Sequence, residues 1–557
     1  MNLSIGAMKC HRVRESLLST SSGFQNFRGL LNWCGVMLLI CFLIEKKTYG
    51  KTAVESNHIT SQFFNYMTLW RGFSLGMLQI GAHSQANTPD RGRCFWFPLP
   101  AEFNSRSGRS TIYNYNLKQN VSKVFTMGRA ALENVLKYGI LIDPVNWYLI
   151  FIRSPSNFPI IWILIALLAS IAVTFLIEKL ASKNYLSEGF VTFLHALTLG
   201  FIIVFPAVIV LNVHPHPFIS SPLLAVCIIV FLKMSSYAQT NKWCRKHQLK
   251  KENQNCKASC LLADKPANHK SPRLRSLSIR ADLNAKLHEM KQVNDDYDSN
   301  YSNLMVVTQL QDYPDNLNVK DLVYFLLVPT VCYELNYPRT TRIRHWFLIN
   351  RALETLFLWG LVLSLIQQWI YPIISNSIVL FENMNYPMMV ERILKLAVPN
   401  HLIWLITFYV IFHSWFNLLA ELLRFGDRMF YKDWWNSENL QQFWSTWNIP
   451  IHRYALRHIY KPLLGRGVSK PVANTMVFIV SACFHEYLFS IPLNMFRFWF
   501  FASFMMQIPL VLLSSKLNGK LGNIIIWLML VLGQPVALLM YSHDYYIAHH
   551  RNNTMVD

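Results

Sequence analysis

A histidine and a glutamate stand side by side within an otherwise apolar stretch of the chain. His485 and Glu486 fall inside residues 471–493, where ionisable side chains are costly to bury and are therefore candidates for function. Ser481 lies four residues before His485 and shares its helix face, whereas Glu486 points about 100° away. A buried neutral histidine suits a general base that removes a proton from an alcohol. The alternative is a core histidine that bonds a neighbouring helix.

Motifs that the sequence lacks, and a basic segment that it has, reduce the number of reactions this histidine could catalyse. The sequence has no GxSxG elbow, no HExxH, no P-loop and no GxGxxG followed by an acid. Residues 453–470 carry five Lys or Arg and no acid, which suits an anionic, soluble donor. We therefore expect acyl transfer from a CoA thioester to a lipid hydroxyl, without a covalent intermediate. Gln507 and Gln534, two amides in apolar segments, either join helices or line a polar path, and their spacing does not decide between the two.

Aromatic residues are dense just upstream, in FYKDWWN (430–436) and FWSTWNIP (443–450). One interpretation is a belt of aromatic side chains at the membrane surface. The other is a re-entrant, partly helical segment that lines a cavity, because an interrupted backbone at membrane depth is tolerated only against protein or water.

The composition of the whole chain indicates a polytopic membrane protein. Of its 557 residues 52% are hydrophobic and only 15% are charged, which excludes a string of soluble domains. The net charge of +22 does not indicate nucleic-acid binding, because the basic residues lie in loops between apolar runs. No Cys or His spacing predicts a metal site.

Nine apolar runs are predicted to cross the membrane as helices. They cover residues 30–44, 158–177, 190–213, 222–239, 352–372, 399–423, 471–493, 498–515 and 524–541. Residues 242–282 hold eleven Lys or Arg against three acids, so this loop and 453–470 are predicted to be cytosolic. The N-terminus is then cytosolic and the C-terminus lumenal.

Five regions follow from these spans. We predict a cytosolic tail (1–29), N-terminal membrane helices (30–239), a cytosolic polar linker with little fixed structure (240–320), a catalytic core (321–541) and a lumenal tail (542–557). Within the second region, residues 40–125 lack a helical or strand period and are interpreted as an atypical insertion.

The two motif regions resemble the membrane-bound O-acyltransferase family. FYKDWWN is similar to the FYxDWWN motif of the branch that holds sterol and diacylglycerol acyltransferases, and His485 falls at the family's catalytic histidine. WNIPIH (447–452), HEYLFSIPLNMFRFW (485–499) and GQP (533–535) are similar to the members that acylate diacylglycerol. The resemblance covers nearly all of the chain.

The resemblance implies an endoplasmic-reticulum enzyme that makes triacylglycerol from diacylglycerol and fatty acyl-CoA. It implies an all-α bundle of about nine membrane helices around an intramembrane reaction chamber, assembled as a homodimer or homotetramer, with no cofactor and no metal. His485 matches the general base, Glu486 an acid that assists it, and Asn448 the family's second hallmark position.

The resemblance also implies a set of substrate contacts. Near the reaction centre they are Ser481, Gln507 and Gln534, and at the cytosolic mouth, holding CoA, they are Tyr460 and Lys470. The acyl-CoA tunnel is framed by Phe430, Tyr431, Asp433, Trp434, Trp435 and Asn436, and His452 is a further contact.

Two positions depart from the family pattern. Asn474 stands where a basic residue that binds CoA phosphates is expected. This predicts either weaker binding of CoA or a neighbouring residue that takes the place of the basic one. Residues 40–125 interrupt a stretch that is nearly continuous in the family, and we interpret them as a retained intron or an error in the gene model.

Other functions remain open from the residues alone. A sterol or long-chain-alcohol O-acyltransferase would use the same histidine with a different acceptor. A transporter or channel predicts paired inverted repeats with broken helices, and the sequence shows no such symmetry. A structural lipid-droplet protein would not need ionisable groups at mid-membrane.

Overall fold

A computed structural model of the chain describes residues 11–48 except 20, 21, 23 and 25, then 159–263, 311–370, 373, and 386–550 except 518. Within these residues the chain is helical, and its extended segments meet only in two isolated β-bridges, Arg14 with Asp427 and Arg339 with Phe425. The predicted all-α class is confirmed. The insertion predicted over 40–125 lies outside the described residues from position 49 onward.

The described residues form fifteen α-helices, numbered in chain order. They are α1 (Arg28–Thr48), α2 (Pro159–Ser182), α3 (Glu188–Val213), α4 (Pro217–Ala263), α5 (Val319–Leu327), α6 (His345–Leu365), α7 (Tyr386–Phe408), α8 (Phe416–Leu422), α9 (Leu440–Thr446), α10 (Ile449–Tyr454), α11 (Lys461–Leu464), α12 (Lys470–Leu493), α13 (Trp499–Met505), α14 (Gln507–Ser514) and α15 (Gly519–His550). Short π-helical turns extend α6, join α7 to α8 and join α10 to α11.

Seven helices in the described part of the chain are long and apolar enough to cross a membrane. They are Ile160–Ser182, Glu188–Val213, Ile219–Lys250, His345–Leu365, Val390–Leu422, Lys470–Leu493 and Gly519–Ser542. Each overlaps one of the nine predicted spans, because about 20 apolar residues in a helix satisfy every backbone polar group within the hydrocarbon layer.

The other two predicted spans take different forms, so the count of nine is not confirmed. The run predicted at 30–44 lies within α1, whose 21 residues make it longer than expected. The run predicted at 498–515 is a pair of shorter helices, α13 and α14, which meet at Met506.

The described helices form two groups, which α12 and α13 join, because α12 packs against α13 and α13 packs against α15. Helices α2, α3 and α4 contact one another, and α15 packs against α1 and α7. Helix α12, which carries His485, contacts both α3 and α4 of the first group. Large apolar side chains such as Leu168, Leu197 and Leu356 remain exposed on the outer faces, as expected of surfaces that face lipid.

The segment predicted as a polar linker is partly helical. Helix α4 continues past the membrane to Ala263, well into the predicted linker 240–320. Asn241 and Arg245 on this extension are buried, and Arg245 binds Glu178 of α2 and Glu188 of α3. A helix that is already nucleated propagates at little cost through Lys, Gln and Glu, which explains the difference.

The N-terminal tail is likewise packed rather than free around His11 and Arg14. The Arg14 amide donates to the Gly426 carbonyl (3.0 Å), and the Arg428 amide donates to the Arg14 carbonyl (2.8 Å). The His11 ring lies 3.1 Å from the Asp427 carboxylate. This segment therefore lies along the strand-like residues that lead into the FYKDWWN motif.

Candidate active site

His485 is held by its own helix and by one aromatic ring. Its Nδ1 lies 2.7 Å from the backbone carbonyl oxygen of Ser481, one turn earlier on α12. Its ring packs on Phe504 of α13 with centroids 3.9 Å apart and planes inclined by 30°. Because a carbonyl only accepts, Nδ1 carries the proton in the neutral ring and Nε2 keeps the free lone pair. The arrangement can accept a proton at Nε2.

Ser481 therefore lies where its spacing predicts, on the His485 face of the helix. The contact is made by its backbone carbonyl, so it orients the histidine ring. The Ser481 hydroxyl does not take part in this contact. Its predicted contact with a substrate stays a prediction.

Glu486 points away from His485, as the helical spacing predicts, and is buried. Its carboxylate accepts hydrogen bonds from the backbone amides of Phe498 and Phe501, each at 3.0 Å. It also accepts from the hydroxyls of Ser490 and Tyr541. Phe498 has a left-handed backbone (φ 57°), which is uncommon for a bulky residue. Glu486 thus joins α12, the start of α13 and α15, and through α13 it fixes Phe504 beneath the His485 ring.

Glu486→Gln is expected to lower the thermal stability of the protein. The amide group of glutamine is a donor, and it would face an amide or hydroxyl donor in a buried position, at a cost of about 1–3 kcal/mol. The midpoint of thermal unfolding in detergent should fall by several degrees, and acyl transfer should fall with it. Unchanged stability with lost activity would instead place Glu486 in the proton transfer itself.

The aromatic side chains of FYKDWWN are buried in protein, which excludes a belt exposed at the membrane surface. Phe430, Tyr431, Trp434 and Trp435 are each at most 5% exposed. The Tyr431 hydroxyl lies 2.8 Å from Nδ1 of His413 on the π-helical turn after α7. The motif is therefore a core element around which neighbouring helices pack.

The polar groups of the motif hold the N-terminal segment. Trp435 Nε1 (3.1 Å) and the Asn436 side-chain amide (2.7 Å) both donate to the Asn26 carbonyl. The Asn436 side-chain oxygen accepts from the Gly29 amide at 2.8 Å, and its amide also lies 3.3 Å from Asp433. The predicted role of Asp433 and Asn436 in framing an acyl-CoA tunnel stays a prediction.

Two glycines lie against the backbone at the end of the motif and just after it, and we call this arrangement the glycine clamp. A Cβ on Gly29 of α1 would lie 1.6 Å from the Trp435 carbonyl oxygen. A Cβ on Gly522 of α15 would lie 1.9 Å from the Glu438 carbonyl oxygen. Both helices therefore approach the backbone of residues 435–438 more closely than any side chain permits.

An asparagine on each helix completes the glycine clamp. The Asn523 side-chain amide donates to the carbonyls of Trp435 (2.9 Å) and Ser437 (2.8 Å). Its side-chain oxygen accepts from the side-chain amide of Asn32 at 2.8 Å. The clamp fixes residues 435–438, from which the chain enters α9 directly.

Helix α9 carries the aromatic link between the motif and His485. Trp444 lies 5.9 Å from Phe504 and 6.2 Å from Phe478 of α12, between ring centroids. Its indole Nε1 is buried without a hydrogen-bond partner among the residues that the structure describes. The ring that supports His485 is thus itself supported by the segment that the glycine clamp positions.

Asn448 and His452 lie on the helix that follows. Asn448 caps α10, because its side-chain oxygen accepts from the Ile451 amide at 3.2 Å. His452 is half-buried, and burial, with Arg453 and Lys432 nearby, lowers its pKa from the usual value. Neither residue is linked to His485 by a described hydrogen bond.

The remaining predicted residues lie at the edges of this centre. Tyr460 and Gln507 are half-buried, and Lys470 is exposed as the first residue of α12. Asn474 is exposed one turn later. Gln534 on α15 accepts from the Asn400 side-chain amide of α7 at 3.3 Å, so it joins two helices, as one of its two interpretations required.

Sequence reasoning missed the residues that support the histidine. Phe504 and Trp444 lack a spacing signal, because their partners come from other helices. Gly522 and Asn523 are a small residue followed by a polar one in an apolar helix. Such residues are enriched where membrane helices contact one another, so this pair was the one sequence signal for the contact of α15 with residues 435–438.

Comparison with known proteins gives one consistent result. A model of the membrane-bound O-acyltransferase family matches residues 147–543. Diacylglycerol O-acyltransferase 1 of Bos taurus is 39% identical over 542 residues, which are 97% of this chain and 85% of the relative. The Homo sapiens protein of that name is 38% identical over the same shares, and that of Corylus americana is 33% identical over 80% of this chain and 74% of the relative.

Proposed function

The chain belongs to the membrane-bound O-acyltransferase family, and on that basis we propose that it transfers the acyl group of a fatty acyl-CoA to the free hydroxyl of diacylglycerol. The observation that carries this proposal is the similarity to diacylglycerol O-acyltransferases of animals and a plant over most of the chain. The product is triacylglycerol, and the substrates reach the enzyme in or at the membrane that its helices cross.

The proposed mechanism uses His485 as the general base. Nε2 accepts the proton of the diacylglycerol hydroxyl while the oxygen attacks the thioester carbonyl carbon. The carbon–oxygen bond forms, the carbon–sulfur bond breaks, and the imidazolium returns the proton to the departing CoA sulfur. A thioester is already activated for acyl transfer, so this step uses acyl-CoA as co-substrate and no further cofactor.

The protein's own contacts favour this role for His485. The Ser481 carbonyl fixes the tautomer that leaves Nε2 basic. Phe504 covers one face of the ring, and a ring with one face covered and one nitrogen bonded has little rotational freedom left. An oriented base with its lone pair free is what a direct transfer between two bound substrates requires.

Lys470 is proposed to hold the CoA phosphates at the mouth of the site. It is exposed at the start of the helix that carries His485. Lys470→Ala should raise the KM for acyl-CoA about three-fold with little change in kcat, the effect of one solvent-exposed charge pair. Lys516→Ala is the matched control, because Lys516 is also exposed and lies on the same predicted side of the membrane. Equal KM values for the two variants would remove Lys470 from the CoA site.

We further propose that the protein resides in the endoplasmic-reticulum membrane as a homodimer or homotetramer, with a cytosolic N-terminus and a lumenal C-terminus. The excess of Lys and Arg in 242–282 and 453–470 supports this orientation. Protease protection of sealed microsomes with a tag at each terminus tests it. A C-terminal tag that is digested without detergent would contradict the orientation.

A further inference from the structure

Helix α13 meets α12 through two stacked pairs of rings, which we call the ring ladder. The Phe504 ring lies on His485 with centroids 3.9 Å apart, and the Phe500 ring lies on Phe489 with centroids also 3.9 Å apart. On each helix the two ring residues are four positions apart, so they share one face. The ring ladder therefore fixes how α13 lies along α12, and any sliding or turning of α13 moves the ring that covers His485.

Helix α13 is too short to keep this position by itself. It has seven residues, Trp499–Met505, and isolated helices shorter than about 12–15 residues are marginal. The hydrogen bonds described between this segment and other helices lie at its N-terminal end, within residues 498–501. The groups that hold this end therefore set the position of the whole helix.

Two carboxylates hold the N-terminal end of α13, and Glu486 of α12 is the first of them. The second is Asp544 of α15, a helix that also packs against α13. Its Oδ2 accepts a hydrogen bond from Nε1 of Trp499, the first residue of α13, at 2.9 Å. Asp544 lies two residues beyond Ser542, where the membrane-spanning part of α15 ends. A carboxylate outside the membrane-spanning part thus anchors the helix that supports the candidate base.

Asp544 also has a charged neighbour, Arg497. Nε of Arg497 lies 3.5 Å from the same Oδ2, but the Arg497 side chain is 61% exposed, against 14% for Asp544. Ion pairs this exposed contribute little, because water and salt screen the charges. Arg497 also precedes α13, whereas Trp499 belongs to it and is half-buried. The bond from Trp499 is therefore the one that acts on the helix.

We propose that Asp544 is a positioning residue for acyl transfer, which holds α13 through Trp499 and so keeps the Phe504 ring against His485. The inference rests on the proposed function, in which His485 is the general base. A base whose ring turns more freely spends less time with Nε2 aimed at the hydroxyl, so loss of the anchor lowers the rate of the chemical step.

The proposal predicts a different effect on the binding of acyl-CoA. Lys470, which is proposed to hold CoA, is the first residue of α12, and Asp544 lies near the last residues of that helix. The 24 residues of α12 separate the two ends by about 36 Å. The KM for acyl-CoA is therefore expected to stay near the wild-type value while kcat falls.

The test is a double-mutant cycle on the purified full chain with Asp544→Leu and Trp499→Phe. Each substitution removes one end of the hydrogen bond. Each should lower kcat about ten-fold, less than the roughly hundred-fold cost of a full misplacement, because Glu486 still holds α13. The double variant should be no slower than the slower single variant, since both substitutions break the same bond. Losses that multiply in the double variant, or a KM for acyl-CoA that rises as kcat falls, would overturn the inference.

Two further variants separate the hydrogen bond from the charge. Asp544→Asn keeps an oxygen that accepts from the Trp499 indole, so it should lower kcat much less than Asp544→Leu. Arg497→Gln removes only the exposed ion pair and should keep the wild-type kcat. If Arg497→Gln were as slow as Asp544→Leu, the effect would belong to the charge pair and the inference would be wrong.

Chemical modification of His485 gives a readout that does not depend on turnover. Diethylpyrocarbonate acylates the free nitrogen of a neutral imidazole, and mass spectrometry of the peptide measures the rate. Asp544→Leu and Trp499→Phe should both raise that rate several-fold, because Phe504 no longer keeps one face of the ring covered. Ser542→Ala is the matched control, because the Ser542 hydroxyl bonds the Leu538 carbonyl of its own helix at 2.8 Å. Equal modification rates in all of these proteins would contradict the proposed anchor.

Thermal unfolding without substrate separates positioning from folding. A lower unfolding temperature for Asp544→Leu, with wild-type kcat and a wild-type modification rate, would make Asp544 a folding residue and overturn the inference. If the wild type makes no triacylglycerol, the proposed function fails. The modification rates then still decide whether Asp544 keeps Phe504 on His485.

Discussion

His485→Ala is expected to lower kcat for acyl transfer by about 10³-fold, within the range that general-base catalysis contributes. The variant loses the only nitrogen that the arrangement leaves free to take the hydroxyl proton. His485→Gln is the companion variant, because it keeps a side chain above Phe504 and so separates lost chemistry from lost packing. Single-turnover measurement with saturating acyl-CoA isolates the chemical step.

The control for this variant lies two residues away on the same helix. Cys483 is exposed and points away from the Phe504 contact, so Cys483→Ala should retain wild-type kcat. Both His485 variants should elute and unfold as the wild type does. Residual transfer within ten-fold of wild type in both of them would remove His485 from the proton transfer.

Gly522→Ala is expected to abolish folding of the native protein or to lower its stability by more than about 4 kcal/mol, a cost found where backbone must move. The added Cβ would lie 1.9 Å from the Glu438 carbonyl oxygen, and backbone cannot swing aside as a flexible side chain does. Gly29→Ala should act in the same way from α1, because its Cβ would lie 1.6 Å from the Trp435 carbonyl oxygen.

Each of these glycines has a matched control on its own helix. Gly533 on α15 and Gly35 on α1 have open space where a Cβ would be. Gly533→Ala and Gly35→Ala should leave the protein folded and gain about 0.5–1 kcal/mol from the better helix propensity of alanine. Thermal unfolding and size-exclusion chromatography in detergent compare the four variants. Equal unfolding temperatures within either pair would contradict the close approach of that helix to the motif.

The membrane helices were the most predictable part of the fold. Runs of about 20 apolar residues leave few structural options in a bilayer, so seven predicted spans coincide with helices. Their ends were harder to place, because polar residues continue a helix once it has formed. Helix α4 shows this, since it runs through Lys and Gln residues to Ala263.

Tertiary partners account for what the sequence did not reveal. Lys233 lies within an apolar run, and the structure shows its amine donating to the carbonyls of Phe325 (2.7 Å) and Val328 (2.8 Å) at the end of α5. The residues next to Lys233 in the sequence do not indicate that its amine binds these carbonyls. Glu486 is similar, because its donors Phe498 and Phe501 follow a turn whose geometry depends on the fold.

In the candidate site too, local features were predictable from the sequence and contacts between distant helices were not. The position of His485 and the shared face of Ser481 follow from helical spacing, which is local. The burial of FYKDWWN and its hydrogen bond to Gly29 depend on α1 and α15, which lie about four hundred and about ninety residues away in the chain. Contacts at such distances leave no periodic pattern of apolar residues in the sequence.

The most direct test is an acyl-transfer assay on purified membranes that contain the full chain or its His485→Ala variant. Labelled oleoyl-CoA is offered with diacylglycerol, cholesterol and a long-chain alcohol in parallel reactions. We predict labelled triacylglycerol from the wild type, little or no product with the other two acceptors, and loss of the triacylglycerol in the variant. Sterol ester or wax ester as the main product, or triacylglycerol that persists in the variant, would contradict an acyl-CoA:diacylglycerol transferase that works through His485.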